Sequence, residues 1–565
     1  MPLLLLLFLT LVCLPDSWSP PFWQHAAPGH TTAVSAALTW LTMTLVVGFA
    51  RGIAASVTGR LGVAPGQRES VLRRYGRLRT YHIFILIGAY AAALYLLGWG
   101  WTVQQLWRQG DWELPGAEVL LLAPFLVGLV MSWVAFYDAE RALHATDEPE
   151  GSEADVQRAK GLAAVGFNDH AETAPAALFW SRGAYVAFHV RQNFALVFAP
   201  LVLLIVMKGV HRLVPQAEDG WIATCVGIAL PVSVFVGLPW LLRLALGLKP
   251  LPPGELRDRL EATARRLRFR CSDIMVWKTN GGVANAMVAG VVPWVRYVLL
   301  TDRLMSDLTP DEVEAVFGHE IGHVKHHHML YYLGFLVGSL LLVGAVLAVL
   351  LAPYLPFVRT DDKISPSQSL LLVTMLGAYI FTVFGFLSRR CERQADVYGC
   401  RAVSCTRPGC CGHEGLAELA PRDTEQRLAG LRAFLAAVWR SVRPLDGTSL
   451  CPTGIRTFIE ALEKVARLNG ISRDNPGWLS SWQHSTIARR VEFLQDVLRD
   501  PAVERRFQWR VTLVKWGLFL ALLAALTALT AWSSKGHESD EVPPSGGDDT
   551  EAVMPHTAGH TAPSE

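Results

Sequence analysis

Two short stretches decide how this chain is read: TPDEVEAVFGHEIGHVKHHH at residues 309–328 and SRRCERQADVYGC at 388–400. In the first, Thr309, Pro310 and Glu312 spell a helix start. Thr309 is a natural N-cap, Pro310 suits the first helical position, and Glu312 completes a capping box. On the helix so begun, His319 and His323 are four residues apart and share a face, with Glu320 beside the first. This HExxH pattern suits Zn2+ held by two imidazoles, with the adjacent carboxylate outside the coordination sphere as general base. A helix that merely displays surface histidines is the alternative, and His326, His327 and His328 favour it slightly because the region is His-rich. A catalytic zinc needs a third protein ligand and one position for water. In the second stretch Glu392 is the natural third ligand. Asp396, one turn further on, is placed to hydrogen-bond the outer nitrogen of a ligand histidine. Alone, Glu392 reads better as part of an Arg- and Glu-rich helix end at a membrane surface.

The two stretches gain force jointly from where they lie, at the same ends of consecutive apolar windows. The chain of 565 residues is 51% hydrophobic and only 18% charged, with a mean hydropathy of +0.29. That composition excludes disorder, a collagen-like repeat or a small disulfide scaffold for the bulk of the chain. A net charge of +2 offers no basis for nucleic-acid binding. A helix needs about 20 apolar residues to cross a bilayer, and eight windows qualify: 31–50, 80–100, 117–137, 187–208, 221–247, 329–352, 368–388 and 512–532. The fourth carries His189 and Arg191, which are costly in lipid unless they face an interface or a protein cavity. Segment 51–79 holds Arg51, Arg60, Arg68, Arg73, Arg74, Arg77 and Arg79 against Glu69, and so reads as a cytoplasmic loop. Alternation then puts 248–328 and 389–511 on the cytoplasmic side and the acidic tail on the other. The expected fold class is mainly α: a polytopic helical membrane protein with a cytoplasmic zincin-like α+β catalytic region.

The expected division is 1–30, an apolar segment or signal peptide; 31–250, a membrane domain of five spans; 251–510, the zinc domain with spans six and seven; 511–532, the eighth span; and 533–565, a disordered acidic tail. Short apolar runs at 273–278, 284–290 and 296–302, punctuated by Gly281, Gly282 and Pro293, predict a small sheet ahead of the HExxH helix. An edge strand beside the zinc site would accept an extended peptide as a further strand. Five of the nine cysteines crowd between Cys391 and Cys411. Cys400, Cys405, Cys410, Cys411 and His413 admit a second, structural zinc as one reading and a redox or incidental role as the other.

HEIGH followed by SRRCERQAD, after five apolar windows, resembles the integral-membrane zinc metalloproteases of the CAAX prenyl protease type. The likeness runs from the first window to about residue 495. It implies hydrolysis of peptide bonds in membrane-associated substrates, either prenylated CAAX-type C-termini or membrane proteins in quality control, with one catalytic Zn2+. By the same resemblance NGGVANAMVAG (280–290) places Asn285 and Ala286 where substrate backbone is held. HSTIARRV (484–491) places His484 where the tetrahedral intermediate is stabilised and Arg490 where the site is supported. Ser485 departs from the family pattern, which commonly has proline there. The partners implied are a peptide or membrane-protein substrate and the lipid bilayer. The competing readings are a catalytically inactive membrane scaffold and a zinc-regulated transporter or channel.

Overall fold

The computed structural model describes residues 28–63, 68–109, 112–113, 117–145, 180–193, 221–346, 366–405, 450–474 and 484–538. The first four helices, α1 (Pro28–Val63), α2 (Arg68–Tyr95), α3 (Trp99–Trp107) and α4 (Ala117–Ala145), pack against one another. They share a buried core of Met43, Leu86, Tyr90, Leu122, Phe125 and Trp133. A second cluster, with Ile53, Val57, Tyr75 and Phe136, continues it along the bundle. Arg79 and Glu140 pair at 2.5 Å inside it, and Tyr75 donates to the same carboxylate at 2.8 Å. Such a pair meets the need of charges held between apolar helices to find partners.

Four described helices are long and apolar enough to cross a membrane: Thr31–Leu61, Arg74–Tyr95, Val119–Leu143 and Pro501–Ala525. The chain is a multi-pass membrane protein. The four correspond to windows one, two, three and eight of the sequence. Windows five, six and seven fall on α5 (Trp221–Leu246), α9 (His328–Val346) and α10 (Pro366–Ala402), with residues 347–352 of the sixth outside the described residues. The fourth window is helical over 182–193, and the rest of it lies outside them, as do residues 1–27 and 539–565. The basic segment 51–79 differs from its reading as a loop. It is helix to Val63 and again from Arg68, because nothing in it breaks a helix before Pro65 and Gly66.

The remaining elements build the domain around the HExxH helix. After a two-stranded ribbon of β1 (Arg108–Gln109) and β2 (Trp112–Glu113), a four-stranded sheet, ordered β3-β4-β6-β5, comprises β3 (Lys249–Pro250), β4 (Asp273–Trp277), β5 (Ala286–Ala289) and β6 (Tyr297–Thr301). β4 and β6 are parallel, and β5 is an edge strand antiparallel to β6. The three longer strands coincide with the three predicted apolar runs. Helix α6 (Glu255–Arg266) lies between β3 and β4 in the chain, and α7 (Asp302–Asp307) and α8 (Pro310–Lys325) follow β6. Then come α11 (Pro452–Leu468), α12 (Ile487–Arg499) and α13 (Pro501–Glu538), the last containing the fourth candidate span. The predicted capping box of α8 is present. Thr309 Oγ1 accepts from the Glu312 N–H at 3.3 Å, and Glu312 Oε2 accepts from the Thr309 N–H at 2.7 Å. Buried Glu314 ties α8 to α6 by accepting from Arg259, Thr263 and Arg266.

What sets the site is the approach of α8 to α10. Gly318 and Gly322 on α8 face Ala395, Tyr398, Gly399 and Ala402 on α10. A Cβ on Gly322 would lie 2.8 Å from Tyr398 Cβ and 3.0 Å from Ala395 Cα, and one on Gly318 would overlap Ala402 Cβ. Small residues on both faces let the backbones come close. Gly318→Ala is therefore expected to destabilise the protein by ~1–3 kcal/mol through overpacking, read as a lowered unfolding midpoint in detergent. Gly334→Ala on α9, where a Cβ meets nothing within 4 Å, is expected to leave it unchanged. A parent-like midpoint for Gly318→Ala would show that the close approach is not needed.

Candidate active site

The α8–α10 contact brings the two sequence clusters together. His319, His323 and Glu392 each offer one ligand atom, all within 4.8 Å of one another, and could hold a metal ion. Among the described residues no other such group occurs. The two imidazoles turn Nε2 inward, 3.2 Å apart. Glu392 Oε2 is 3.8 Å from His319 Nε2, and Oε1 is 3.7 Å from His323 Nε2. The donor set fits zinc chemically: two neutral imidazole nitrogens and one carboxylate.

Each outer nitrogen is engaged on the far side of its ring. His319 Nδ1 lies 3.0 Å from Asp396 Oδ1, the contact anticipated from the four-residue spacing of Glu392 and Asp396. Asp396 in turn accepts from Arg490 Nε at 2.9 Å and Nη2 at 2.5 Å. All three groups are buried or nearly so. Burial alone would raise the Asp396 pKa, but Arg490 and His319 hold it below the usual carboxylate range. His323 Nδ1 lies 3.0 Å from His328 Nδ1. The triple histidine that favoured a bland reading of the motif therefore contributes one member, fully buried, to the site.

Glu320 is partly buried beside these groups. Its Oε2 accepts the backbone N–H of Val288 on the edge strand β5 at 3.2 Å. Desolvation pushes its pKa up to about 7, with further help from the charge of Glu392. Burial likewise depresses His323, to about 4, so its imidazole is neutral near pH 7. For Glu392 desolvation acts upward, but hydrogen bonding and charge from His484, with His323 and Arg490, hold it well below the normal range. His484 Nδ1 is 3.1 Å from Glu392 Oε1, and the His484 side chain is 60% exposed. Exposure leaves that ring open to the solvent side of the site.

Asn285 points outward, and its main chain is taken by Thr301: the Asn285 N–H donates to Thr301 Oγ1 at 2.9 Å, and its carbonyl accepts the Thr301 N–H at 3.0 Å. By strand alternation the main-chain groups of Ala286 and Val288 face the outer edge, as the Val288 contact to Glu320 confirms. At Ala284 that edge is closed by Asn469, whose side chain accepts the Ala284 N–H at 3.0 Å and donates to its carbonyl at 2.7 Å. Ser485 has φ 64°, a conformation closed to proline, whose ring holds φ near −65°. The departure from the family pattern is thus a difference in backbone as well as in residue.

The reading of a second zinc finds no support among the described residues. Cys400 and Cys405 are buried in an apolar cluster with Cys451, Ile455, Val491 and Leu494, and both are free thiols. Cys410, Cys411 and His413 lie outside the described residues.

With this geometry in hand, likeness to known proteins is informative. The profile of Peptidase family M48 matches residues 250–495. This segment, less than half of the chain, is similar to that family. The M48 segment includes the HExxH helix, Glu392, Asp396, His484 and Arg490. A CAAX prenyl protease 1 homolog of Arabidopsis thaliana is 34% identical over 84 residues, 14% of this chain and 20% of that protein. A protease HtpX homolog of Methanocaldococcus jannaschii is 28% identical over 155 residues, 26% of this chain and 52% of that protein. The chain thus spans between 20% and 52% of the length of these two curated relatives. A crystal structure of S. mikatae Ste24p aligns with 81% of this chain and 98% of its own, at 14% identity and a TM-score of 0.42.

His328, Gln394, Lys515 and Asn469 escaped the sequence reading. A lysine inside the last apolar window was the available signal for Lys515; the others depend on tertiary contact.

Asp396 is expected to hold His319 in its ligating tautomer, so Asp396→Ala should weaken zinc binding ~10–100-fold, measured by competition with a chelator. Arg490→Met strands a buried carboxylate and should cost about 3–5 kcal/mol of stability. The depressed pKa of Asp396 also has a signed consequence for the metal-free protein. Its stabilisation is complete above the unfolded value of about 3.9 and is lost as pH falls through the lower folded value. Thermal unfolding of the parent from pH 6 to 3 should show that loss, and Asp396→Asn should show less of it. Unchanged zinc affinity in Asp396→Ala would remove the positioning role.

Proposed function

We propose that this chain is an integral-membrane zinc endopeptidase that hydrolyses peptide bonds of membrane-associated substrates. One observation carries the reading: Glu320, bound to the edge strand through Val288, stands next in sequence to the first member of a His319, His323 and Glu392 group whose ligand atoms converge within 4.8 Å. A scaffold that kept only the fold would have no use for that base with a complete ligand set.

His319, His323 and Glu392 would hold the metal. Zinc bound there supplies Lewis acidity, which brings the pKa of water towards neutrality and polarises a scissile carbonyl. Glu320 takes a proton from the attacking water and delivers it to the leaving amine; a base with a pKa near the working pH suits both transfers. His484, exposed at the mouth and joined to Glu392 on one nitrogen, assists the developing oxyanion. Arg490 acts through Asp396 and Glu392 rather than on substrate. An extended substrate lies along β5, pairing with the outward main chain near Ala286, with Asn285 flanking it. Asn469 ends that edge at Ala284, so pairing runs from there towards Val288 and the base.

The substrate is membrane-associated because the domain is joined to helices of spanning length on both sides in the chain. The Arg-rich stretch between the first two spans supports a cytoplasmic position for the site. The name of one set of relatives, CAAX prenyl protease 1, points to prenylated C-termini, and segments of membrane proteins are the other substrate group that the sequence resemblance implies. Incubating purified protein in bilayers with one substrate of each kind separates them.

Glu320→Gln is expected to retain zinc, because Glu320 is not in the ligand group, and to lower hydrolysis by ~100–10,000-fold. Chelator should abolish parent activity and zinc should restore it. Equal cleavage by Glu320→Gln and parent would overturn the protease reading.

A further inference from the structure

The outer nitrogen of His323 begins a chain of contacts that leaves the M48 segment and ends on the last membrane helix. His323 Nδ1 is 3.0 Å from His328 Nδ1, and His328 Nε2 is 3.2 Å from Gln394 Oε1. The same oxygen accepts from Lys515 Nζ at 3.1 Å, while Gln394 Nε2 donates to Gln508 Oε1 at 2.7 Å. Gln508 and Lys515 belong to α13, and Lys515 lies inside the candidate span Pro501–Ala525. Lys515 also donates to the His326 carbonyl at 3.4 Å and stands 5.3 Å from the Tyr331 ring centroid. A cation at such a place is costly unless it is partnered, and marks a functional position by default.

The polarity of this chain follows from one fact: an ammonium group can only donate. Gln394 must therefore turn its oxygen towards Lys515. That oxygen can only accept, so a neutral His328 donates to it from Nε2 and carries no proton on Nδ1. His328 Nδ1 is then an acceptor, and His323 must donate from its own Nδ1. A neutral His323 with its proton on Nδ1 presents a lone pair on Nε2, the atom that faces His319 and Glu392.

We propose that Lys515, acting through Gln394 and His328, is a positioning residue that sets the tautomer and ring orientation of His323 for metal binding. The inference rests on the zinc site proposed above. It makes the last membrane helix part of that site's support, in parallel with Arg490 and Asp396 on His319. The two imidazoles are thereby held by different means, one by a charged pair and the other by a chain of neutral groups ending on a lysine.

The test measures zinc affinity of the full-length protein in detergent by chelator competition, alongside thermal unfolding. His328→Leu removes the acceptor and should weaken zinc by ~10–100-fold. His328→Asn, whose side-chain oxygen can occupy the place of Nδ1, should recover most of that loss. Lys515→Met should weaken zinc ~10-fold, and Lys515→Arg, still only a donor, should bind as the parent does. The double variant Lys515→Met with His328→Leu should be no weaker than His328→Leu alone, since both break one chain. Parent-like affinity in Lys515→Met, or losses that multiply in the double variant, would overturn the coupling and leave Lys515 a packing role. If Lys515→Met does not fold, equal affinity of His328→Leu and His328→Asn overturns the proposal in its place. A parent that binds no zinc would instead overturn the zinc reading itself.

Discussion

Everything in the site depends on how closely α8 and α10 approach. The HExxH motif is interleaved with glycines, so that Gly318 and Gly322 form one row along the helix while His319 and His323 form the next. On α10 the same arrangement recurs, with Ala395, Gly399 and Ala402 beside Glu392 and Asp396. Spacings of four residues keep each row on one face. The glycine and alanine rows meet and fix the distance; the polar rows beside them then face each other at the separation a metal requires. Phe458 of α11 closes the arrangement by stacking on His319, with centroids 5.8 Å apart. Larger side chains in the small rows would move Glu392 away from the imidazoles without altering a single ligand.

Charge is then distributed unevenly over that frame. Glu392 and Asp396 are both buried, and both stay ionised: Asp396 chiefly through Arg490 at 2.5 Å, Glu392 chiefly through His484 at 3.1 Å, with Arg490 at 3.8 Å adding to it. Glu320 lacks such a cation and is bound to a backbone N–H instead, which leaves its proton affinity higher. Carboxylates gathered in one site are thus suited to different roles, Glu392 and Asp396 to holding the site together as anions and Glu320 to moving a proton. Environment rather than residue type makes the assignment.

What could be read from the sequence was local or periodic. The capping box at Thr309, the shared face of His319 and His323, the Glu392 and Asp396 spacing and the three short strands all depend on neighbours within a few residues. Each appears where those rules place it. The basic segment 51–79 misled because charge pattern reports the side of a membrane, whereas helix ends depend on breakers, and the breakers sit only at Pro65 and Gly66. Asn469 and His328 were illegible for a different reason. An asparagine that closes a strand edge in Ala284, 185 residues away in the chain, carries no mark in its own neighbourhood. His328 was visible but pointed the wrong way, since three consecutive histidines look like a solvated helix end until one of them proves to be buried.

The family resemblance and the physical site have different boundaries. The match to M48 ends at residue 495, yet Gln508 and Lys515 reach back to Gln394, and Glu504 pairs with Arg401 of α10. Three side chains of α13 therefore grip the helix that carries Glu392. Two of them act on its polar face, and Glu504 on its last turn. A fragment cut at the end of the family match would keep every candidate ligand and the base but would lose these contacts. It would also leave Arg401, which is largely buried in the intact protein, without its carboxylate. The membrane helix is for this reason a structural component of the site, as much as Asp396 is. The apolar character of the chain and the placement of its candidate metal ligands are two aspects of one architecture.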